Sequence, residues 1–276
     1  MPDRRIAFIG AGNMASALIS GLLARGSARA DSLIASDVRE DALAALARQH
    51  GIATARDNAG ASAAEIVVLS VKPQVLPQVL VELAPRLASD TLVVSIAAGV
   101  PLAVIEGQLP GKRVIRAMPN TPALVGAGAT AIATGRHATA EDSKRARAIF
   151  ESVGVVVEVP EAQLDAVTAL SGSGPAYVFY LAEALIEAGR AAGLPDDVAS
   201  ALALQTVYGA AKLLHESGEQ PADLRRKVTS PGGTTEAGVR SLDASQVKGA
   251  VRACVIAARD RGAELGREAL AKLSGA

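Results

Sequence analysis

Up to about residue 160 the chain alternates short apolar runs with longer amphipathic stretches. The runs RRIAFI, SLIAS, IVVLSV, LVVSIA, RVIRAM and VVVEV are nearly uninterrupted by polar residues, the pattern of strands in a sheet covered on both faces. Between them, residues 15–24, 40–50 and 73–87 suit helices, which makes the order a βαβ progression. The segment GATAIATG (128–135) predicts a further strand running in the other direction.

Beyond Pro160 the period changes from two to that of a helix. EAQLDAVTALSG, GPAYVFYLAEALIEAGRAAG, PDDVASALALQTVYGAAKLLHES, PADLRRKVT and a final run over 246–273 all predict helices. Asp196 and Asp197 behind Pro195 place negative charge at the positive end of one of them. Val178, Leu181, Leu185 and Ala188 fall on one face of another, and Phe179, Ala182 and Ile186 occupy the next. A helix apolar around more than half its circumference must be buried on several sides. In so small a domain a second subunit supplies that cover more readily than the chain's own neighbours. The expected organisation is α/β: a helix-covered, mostly parallel sheet over 1–160, then an all-helical half over 161–276 that dimerises.

Composition narrows the function. The 28 basic and 28 acidic residues cancel, and with no tryptophan and 2% aromatics the chain offers neither an electrostatic footprint nor a stacking platform for nucleic acid. Residues 6–24 are uncharged and follow two arginines, superficially like a signal peptide or membrane span. Their glycines, serines and asparagine, and the switch from strand-like to helical spacing part-way along, mark soluble structure instead. The single cysteine excludes an internal disulfide framework and favours the cytoplasm. It lies on the apolar stripe Val247, Ala250, Val251, Cys254, Val255, Ala258, which predicts a buried core thiol. Three histidines far apart in sequence give no metal-ligand spacing.

The first strand runs directly into Gly10-Ala11-Gly12-Asn13-Met14-Ala15. In a dinucleotide-binding turn the first glycine permits the bend and the second admits the pyrophosphate. The third small residue, here Ala15, lets the helix pack on the sheet. The second strand ends in Ser36-Asp37-Val38-Arg39. Serine can donate to a 2′-phosphate and arginine can neutralise it, which favours NADPH; Asp37 argues for NADH if it points inward, and Arg39 can also be a solvated charge. Val71-Lys72-Pro73 and Ser95-Ile96-Ala97-Ala98-Gly99 end two further strands on the same side. Lys72 suits a ribose hydroxyl, a substrate charge or plain solvation. The loop Met118-Pro119-Asn120-Thr121-Pro122 is stiffened by its prolines, either as turn chemistry or beside a nicotinamide.

One stretch fits none of its surroundings: TSPGGTTEAG (229–238) interrupts the helical half with a run that helices tolerate poorly. Consecutive glycine N–H groups at Gly232 and Gly233 can form a nest for an anion, with the following helix start in support. Equally, the run can end one helix and cap the next through Thr234 or Thr235.

Taken together, FIGAGNMA, VKP, VVSIAAGV, RAMPNTP, LSGSGPAYV and SPGGTT resemble pyrroline-5-carboxylate reductases, in the family's order from residue 6 to about 240. The resemblance implies a Rossmann-like dinucleotide-binding domain over 1–160 and an all-helical dimerisation and substrate domain over 161–276 that interlocks with its twin, in a homodimer that can close into rings of five dimers. It implies reduction of 1-pyrroline-5-carboxylate to proline with NADPH or NADH. The cofactor candidates are Gly10, Gly12, Asn13, Met14, Ser36, Arg39, Asn58, Val71, Lys72, Pro73, Ala97 and Asn120. The substrate candidates are Ser230, Gly232, Gly233, Thr234 and Thr235, with Thr235 and Lys72 the catalytic candidates. Two rivals remain open. A dehydrogenase of the β-hydroxyacid type wants a lysine base, for which only Lys212 offers itself, and a regulatory protein keeps the fold without turnover.

Overall fold

The computed structural model describes residues 5–273. Among them, eight strands form one sheet: β1 (Ile6–Ile9), β2 (Leu33–Ser36), β3 (Ala53–Ala55), β4 (Ile66–Leu69), β5 (Leu92–Ser95), β6 (Arg113–Met118), β7 (Gly128–Thr134) and β8 (Gly154–Glu158). Their spatial order is β3-β2-β1-β4-β5-β6-β7-β8. The strands from β1 to β6 pair in parallel, β7 runs antiparallel to β6, and β8 is parallel to β7. The reversed strand expected from GATAIATG is therefore β7.

Helices α1 (Asn13–Ala24), α2 (Glu40–His50), α3 (Leu76–Leu83), α4 (Leu102–Gln108) and α5 (Ala140–Glu151) cover the sheet. Alternation along β1 decides the layers. Ile6 and Phe8 join Leu18, Ile19 and Leu22 of α1 and Phe150 of α5, whereas Ala7 and Ile9 join Leu76, Leu80 and Leu83 of α3. Both faces are buried, so the strand has no polar face to display. Each fully buried leucine or isoleucine contributes about 1.5–3 kcal/mol. β1 pairs β2 on one side and β4 on the other. The order of strands reverses there, and that is where a ligand crevice opens in a doubly wound sheet.

Some boundaries differ from the sequence pattern. The helix expected over 73–87 is confined to Leu76–Leu83, because Pro77 is tolerated only in the first turn and Pro85 disfavours helical backbone just before it. β3, α4 and α5 had no counterpart in the expected elements. β3 and α4 are too short to show a period, and α5 carries six charged residues in AEDSKRARAIFE. Its start is nevertheless encoded by a reciprocal capping box between Thr139 and Asp142.

The stretch 161–172 is not one helix either. A short 3-10 turn leads into α6 (Leu164–Val167) and then a π turn over Thr168–Gly172, in which the Thr168 carbonyl accepts from Ser173 N–H five residues on at 2.8 Å. The buried Arg116 of β6 donates to Glu161 Oε1 at 3.2 Å, and the same oxygen accepts Leu102 N–H at the start of α4 at 2.5 Å.

The chain forms two compact units: one runs to residue 173 and resumes at residue 256, and the other is Gly174–Val255. The change of period near residue 160 coincides with the end of β8. The second unit holds α7 (Gly174–Ala191), α8 (Asp196–Ser217), α9 (Pro221–Lys227), α10 (Thr234–Ala244) and the first turns of α11 (Val247–Leu273). Residues 6–24, the uncharged stretch, are β1, a turn and α1. No helix among the described residues is long and apolar enough to cross a membrane.

Within the second unit the buried apolar side chains are Ala182, Ala199 and Ala203, while Phe179 is 62% exposed and Tyr208 60%. Leu181, Leu202, Leu204, Leu213 and Val251 are exposed with them. Cys254 is exposed too, which corrects the expected buried thiol. Its stripe is apolar as read, but the large apolar side chains of this unit are themselves exposed and leave it uncovered. An apolar surface this extensive marks an interaction site. Light scattering of the chain at micromolar concentration will give at least twice the mass of one chain, and a monomeric mass would contradict this reading of the surface.

Candidate active site

The crevice is built on the turn after β1. Gly10 has φ +102°, and its N–H donates to the Ser36 carbonyl at 2.7 Å. A Cβ at Gly10 would lie 2.7 Å from the Ser70 carbonyl oxygen, so both conformation and space require glycine. The Ser70 hydroxyl lies 3.0 Å from the Ile9 carbonyl and 2.7 Å from that of Gly10, tying the end of β4 to the turn. Gly12 is the N-cap of α1 and provides no side-chain cap. A Cβ there would meet nothing within 4 Å. The first N–H groups of α1 thus have no side-chain cap and no acidic residue in the first turn, and with open space at Gly12 the arrangement suits a pyrophosphate. Ala15 is fully buried against the sheet.

Asp37 fixes the rim. Its Oδ2 accepts Ala11 N–H at 2.8 Å and Arg39 Nη2 at 3.0 Å; its Oδ1 accepts Arg39 N–H at 2.9 Å and Arg39 Nε at 3.1 Å. The carboxylate is 10% exposed, and the Arg39 side chain is 56% exposed. Burial opposes the charged form of Asp37. The Arg39 hydrogen bond, the two backbone N–H groups and the Arg39 charge outweigh it and hold the carboxyl below its ordinary value of 3.8. Asp37 thus points inward, yet its acceptors are already engaged.

Beside it, Ser36 Oγ donates to Asn58 Oδ1 at 2.6 Å, and Asn58 Nδ2 donates to Glu82 Oε2 of α3 at 3.0 Å. These residues border a cleft of about 640 Å³. Of the sequence-derived cofactor candidates, Gly10, Gly12, Asn13, Ser36, Arg39, Asn58, Val71 and Lys72 line it. Met14, Pro73, Ala97 and Asn120 are not part of its wall. Ala97 is buried, with its N–H directed to Ser95 Oγ at 3.3 Å. Asn120 Oδ1 accepts Ala129 N–H at 2.8 Å, and its Nδ2 donates to the Ser171 carbonyl at 3.2 Å, so its amide braces the loop between β6 and β7. Arg56, Asp57 and Glu82 also line the cleft and were missed. For Glu82 the signal was present: Val75, Val79 and Glu82 share one helical face, an acid closing an apolar stripe.

In the second unit, SPGG forms a turn with Pro231 and Gly232 at its centre and Gly232 at φ +72°. Gly233 N–H donates to the Ser230 carbonyl at 3.0 Å, and Gly232 N–H donates to Glu236 Oε2 at 2.9 Å. The expected two-glycine nest is therefore not free to bind an anion, because both donors serve the turn itself. The N-cap of α10 is Gly233, not either threonine, and it makes no side-chain cap. The donors left without an intrahelical partner are the N–H groups of Thr234, Thr235 and Glu236.

Residues 161–265 match the family model for pyrroline-5-carboxylate reductase dimerisation, and residues 5–99 match that for NADP oxidoreductase, coenzyme F420-dependent. The chain is 45% identical over 270 residues to the pyrroline-5-carboxylate reductase of Methanosarcina acetivorans, covering 97% of this chain and 100% of that one. Against the Pseudomonas aeruginosa enzyme of the same name it is 46% identical over 271 residues, covering 97% and 99%. This chain belongs to the pyrroline-5-carboxylate reductase family. A pyrroline-5-carboxylate reductase from Coxiella burnetii has a structure similar at TM-score 0.90 and 39% identity, covering 95% of this chain and 98% of that one. The Plasmodium falciparum pyrroline carboxylate reductase structure with NADP bound gives TM-score 0.85 at 30% identity, covering 96% and 99%.

Within this reductase family the exposed helical surface has its explanation, since the model matching 161–265 is one of dimerisation. The rival base Lys212 is half-exposed and lies 3.8 Å from Glu216 along its own helix, the arrangement of a surface pair. The Asp37 clamp has a consequence in acid. Its carboxyl is depressed on folding, so its stabilisation is fully present above the unfolded value of 3.8 and is lost as pH falls through the folded value. Urea unfolding midpoints of Asp37→Asn will fall below wild type at neutral pH, and the gap will narrow from about pH 4 downward. A gap independent of pH would remove Asp37 from the clamp.

Proposed function

We propose that the chain reduces 1-pyrroline-5-carboxylate to L-proline with NADPH or NADH, the last step of proline synthesis. The observation that carries this is the glycine turn at the β1/β4 crevice, in a chain whose relatives are pyrroline-5-carboxylate reductases along nearly their whole length. The turn fits a dinucleotide: open space at Gly12, uncapped N–H groups at α1, and a cleft of about 640 Å³ beyond them. Ser36, Arg39 and Asn58 stand at the ribose end. Lys72 and Val71, after β4, stand on the same cleft, where the lysine suits a ribose hydroxyl or a substrate charge. When bound, the dihydronicotinamide supplies the hydride.

The substrate is a cyclic imine bearing a carboxylate. Hydride adds to the imine carbon, the C=N electron pair moves to nitrogen, and the nitrogen carries the proton that makes it an amine. Because a cyclic imine is readily protonated, no strong protein acid is needed. The chain must supply position and charge complementarity. The start of α10 offers both. The free N–H groups of Thr234, Thr235 and Glu236 and the Ser230 and Thr234 hydroxyls form the seat for the carboxylate, and the Thr235 hydroxyl orients the ring nitrogen. Gly232 and Gly233 shape that seat through their turn rather than by donating to the substrate. The reading places the enzyme in the cytoplasm as a homodimer. The ring of five dimers rests on family resemblance alone.

Purified chain will consume NADPH or NADH with pyrroline-5-carboxylate and form proline. Absence of turnover with that substrate, alongside intact nucleotide binding, would favour a regulatory role. Thr235→Ala will lower kcat or raise the imine KM by roughly tenfold to a thousandfold, the scale of ~1.5–4 kcal/mol for polarising donors, while leaving NADPH affinity unchanged. Arg39→Ala will raise KM for NADPH more than tenfold and leave that for NADH nearly unaltered, as loss of a charge-assisted phosphate contact requires. Equal effects on the two nucleotides would assign Arg39 to the rim alone.

A further inference from the structure

Asn58 stands between two partners of different hydrogen-bonding character. Ser36 has a hydroxyl, which can donate or accept; Glu82 has a carboxylate, which only accepts. Glu82 Oε2 lies 3.0 Å from Asn58 Nδ2, and Asn58 Oδ1 lies 2.6 Å from Ser36 Oγ. An asparagine amide has two orientations of nearly equal shape, and a neighbour that can only accept selects one of them. With Nδ2 turned to Glu82, Oδ1 must face Ser36, and the Ser36 hydroxyl must donate. The direction of the whole chain, from β2 through the 56–58 loop to α3, is thus set at its far end.

We propose that Glu82 is a positioning residue for the adenosine end of the dinucleotide, acting through Asn58. The carboxylate of Glu82 holds one amide proton of Asn58, and this presents the other to an acceptor on the ribose. All three residues border the cleft, and Arg86, the nearest cation to Glu82, is 4.0 Å away in a loose pair that does not divert it. A surface acid kept only for solubility has no reason to meet an amide contributed from a loop 24 residues earlier.

The proposal rests on the cofactor reading above, so binding of NADPH and of NADH to wild-type chain, followed by each nucleotide's own fluorescence, comes first. Steady-state kinetics then compare Glu82→Ala, Glu82→Gln, Asn58→Ala and the Glu82→Ala/Asn58→Ala double variant, with melting temperatures in parallel. Glu82→Ala will raise KM for NADPH five- to tenfold with kcat unchanged. Asn58→Ala will do the same, and the double variant will be no worse than either single one. Glu82→Gln can donate as well as accept, so it selects the Asn58 orientation less strongly and its KM for NADPH will fall between those of wild type and Glu82→Ala. Unchanged KM in Glu82→Ala, a drop in kcat without a KM effect, or multiplying effects in the double variant would overturn the positioning role. So would tighter NADPH binding by Glu82→Gln, which would make Glu82 a repulsive charge. Wild-type chain that binds neither NADPH nor NADH would overturn the cofactor reading and this proposal together.

Discussion

Everything at the nucleotide end depends on how closely two strand ends approach. The chain leaving β1 must turn within van der Waals distance of the chain leaving β4, and at Gly10 no side-chain atom fits between that turn and the Ser70 carbonyl. The approach is held from three directions: the Gly10 N–H on the Ser36 carbonyl, the Ser70 hydroxyl on the turn's own carbonyls, and the Asp37 carboxylate on Ala11 N–H. Closing the turn points the start of α1 into the crevice. A ligand-binding helix end is thus a by-product of strand packing, and the aliphatic core on both faces of the sheet provides the rigidity.

Carboxylates act throughout the chain as ties for backbone N–H groups. Asp37 holds Ala11, Glu161 holds Leu102, Glu106 holds Arg136, Asp142 holds Thr139 and Glu236 holds Gly232. Each closes a loop or starts a helix where the backbone has no partner of its own. A chain with balanced charge therefore does not spend its acids only on salt bridges. This changes the meaning of two acids near the candidate sites. Asp37, in a position that suggests ribose recognition, is already saturated, and Glu236, in the first turn of α10, completes a turn that glycine N–H groups seemed free to complete with a ligand.

The strands and the glycine turn were legible because they are local. An uninterrupted IVVL or LVVS has one sensible environment, and Gly10-x-Gly12 immediately after a strand has one sensible geometry. The ends of α3 were blurred by prolines whose effect depends on position within the turn. The π turn at 168–172 left no periodic trace, since it adds one residue to a pattern that still reads as helix. Glu82 and Asn58 lie 24 residues apart, and nothing in either segment announces the other. Cys254 shows a different limit: the stripe was read correctly as apolar, but periodicity says only that a face must be covered, not by which molecule.

That uncovered face couples the chain's conformational stability to its abundance. A helical unit whose own interior consists of three small alanine side chains has little to hold it together when alone. Its folding is thermodynamically a reaction between molecules, and dilution erodes the folded population as surely as heat does. Before a nascent chain encounters its counterpart, the same leucines and aromatics are open to whatever else is sticky in the surroundings. The interval between synthesis and assembly is then the most hazardous part of the protein's lifetime.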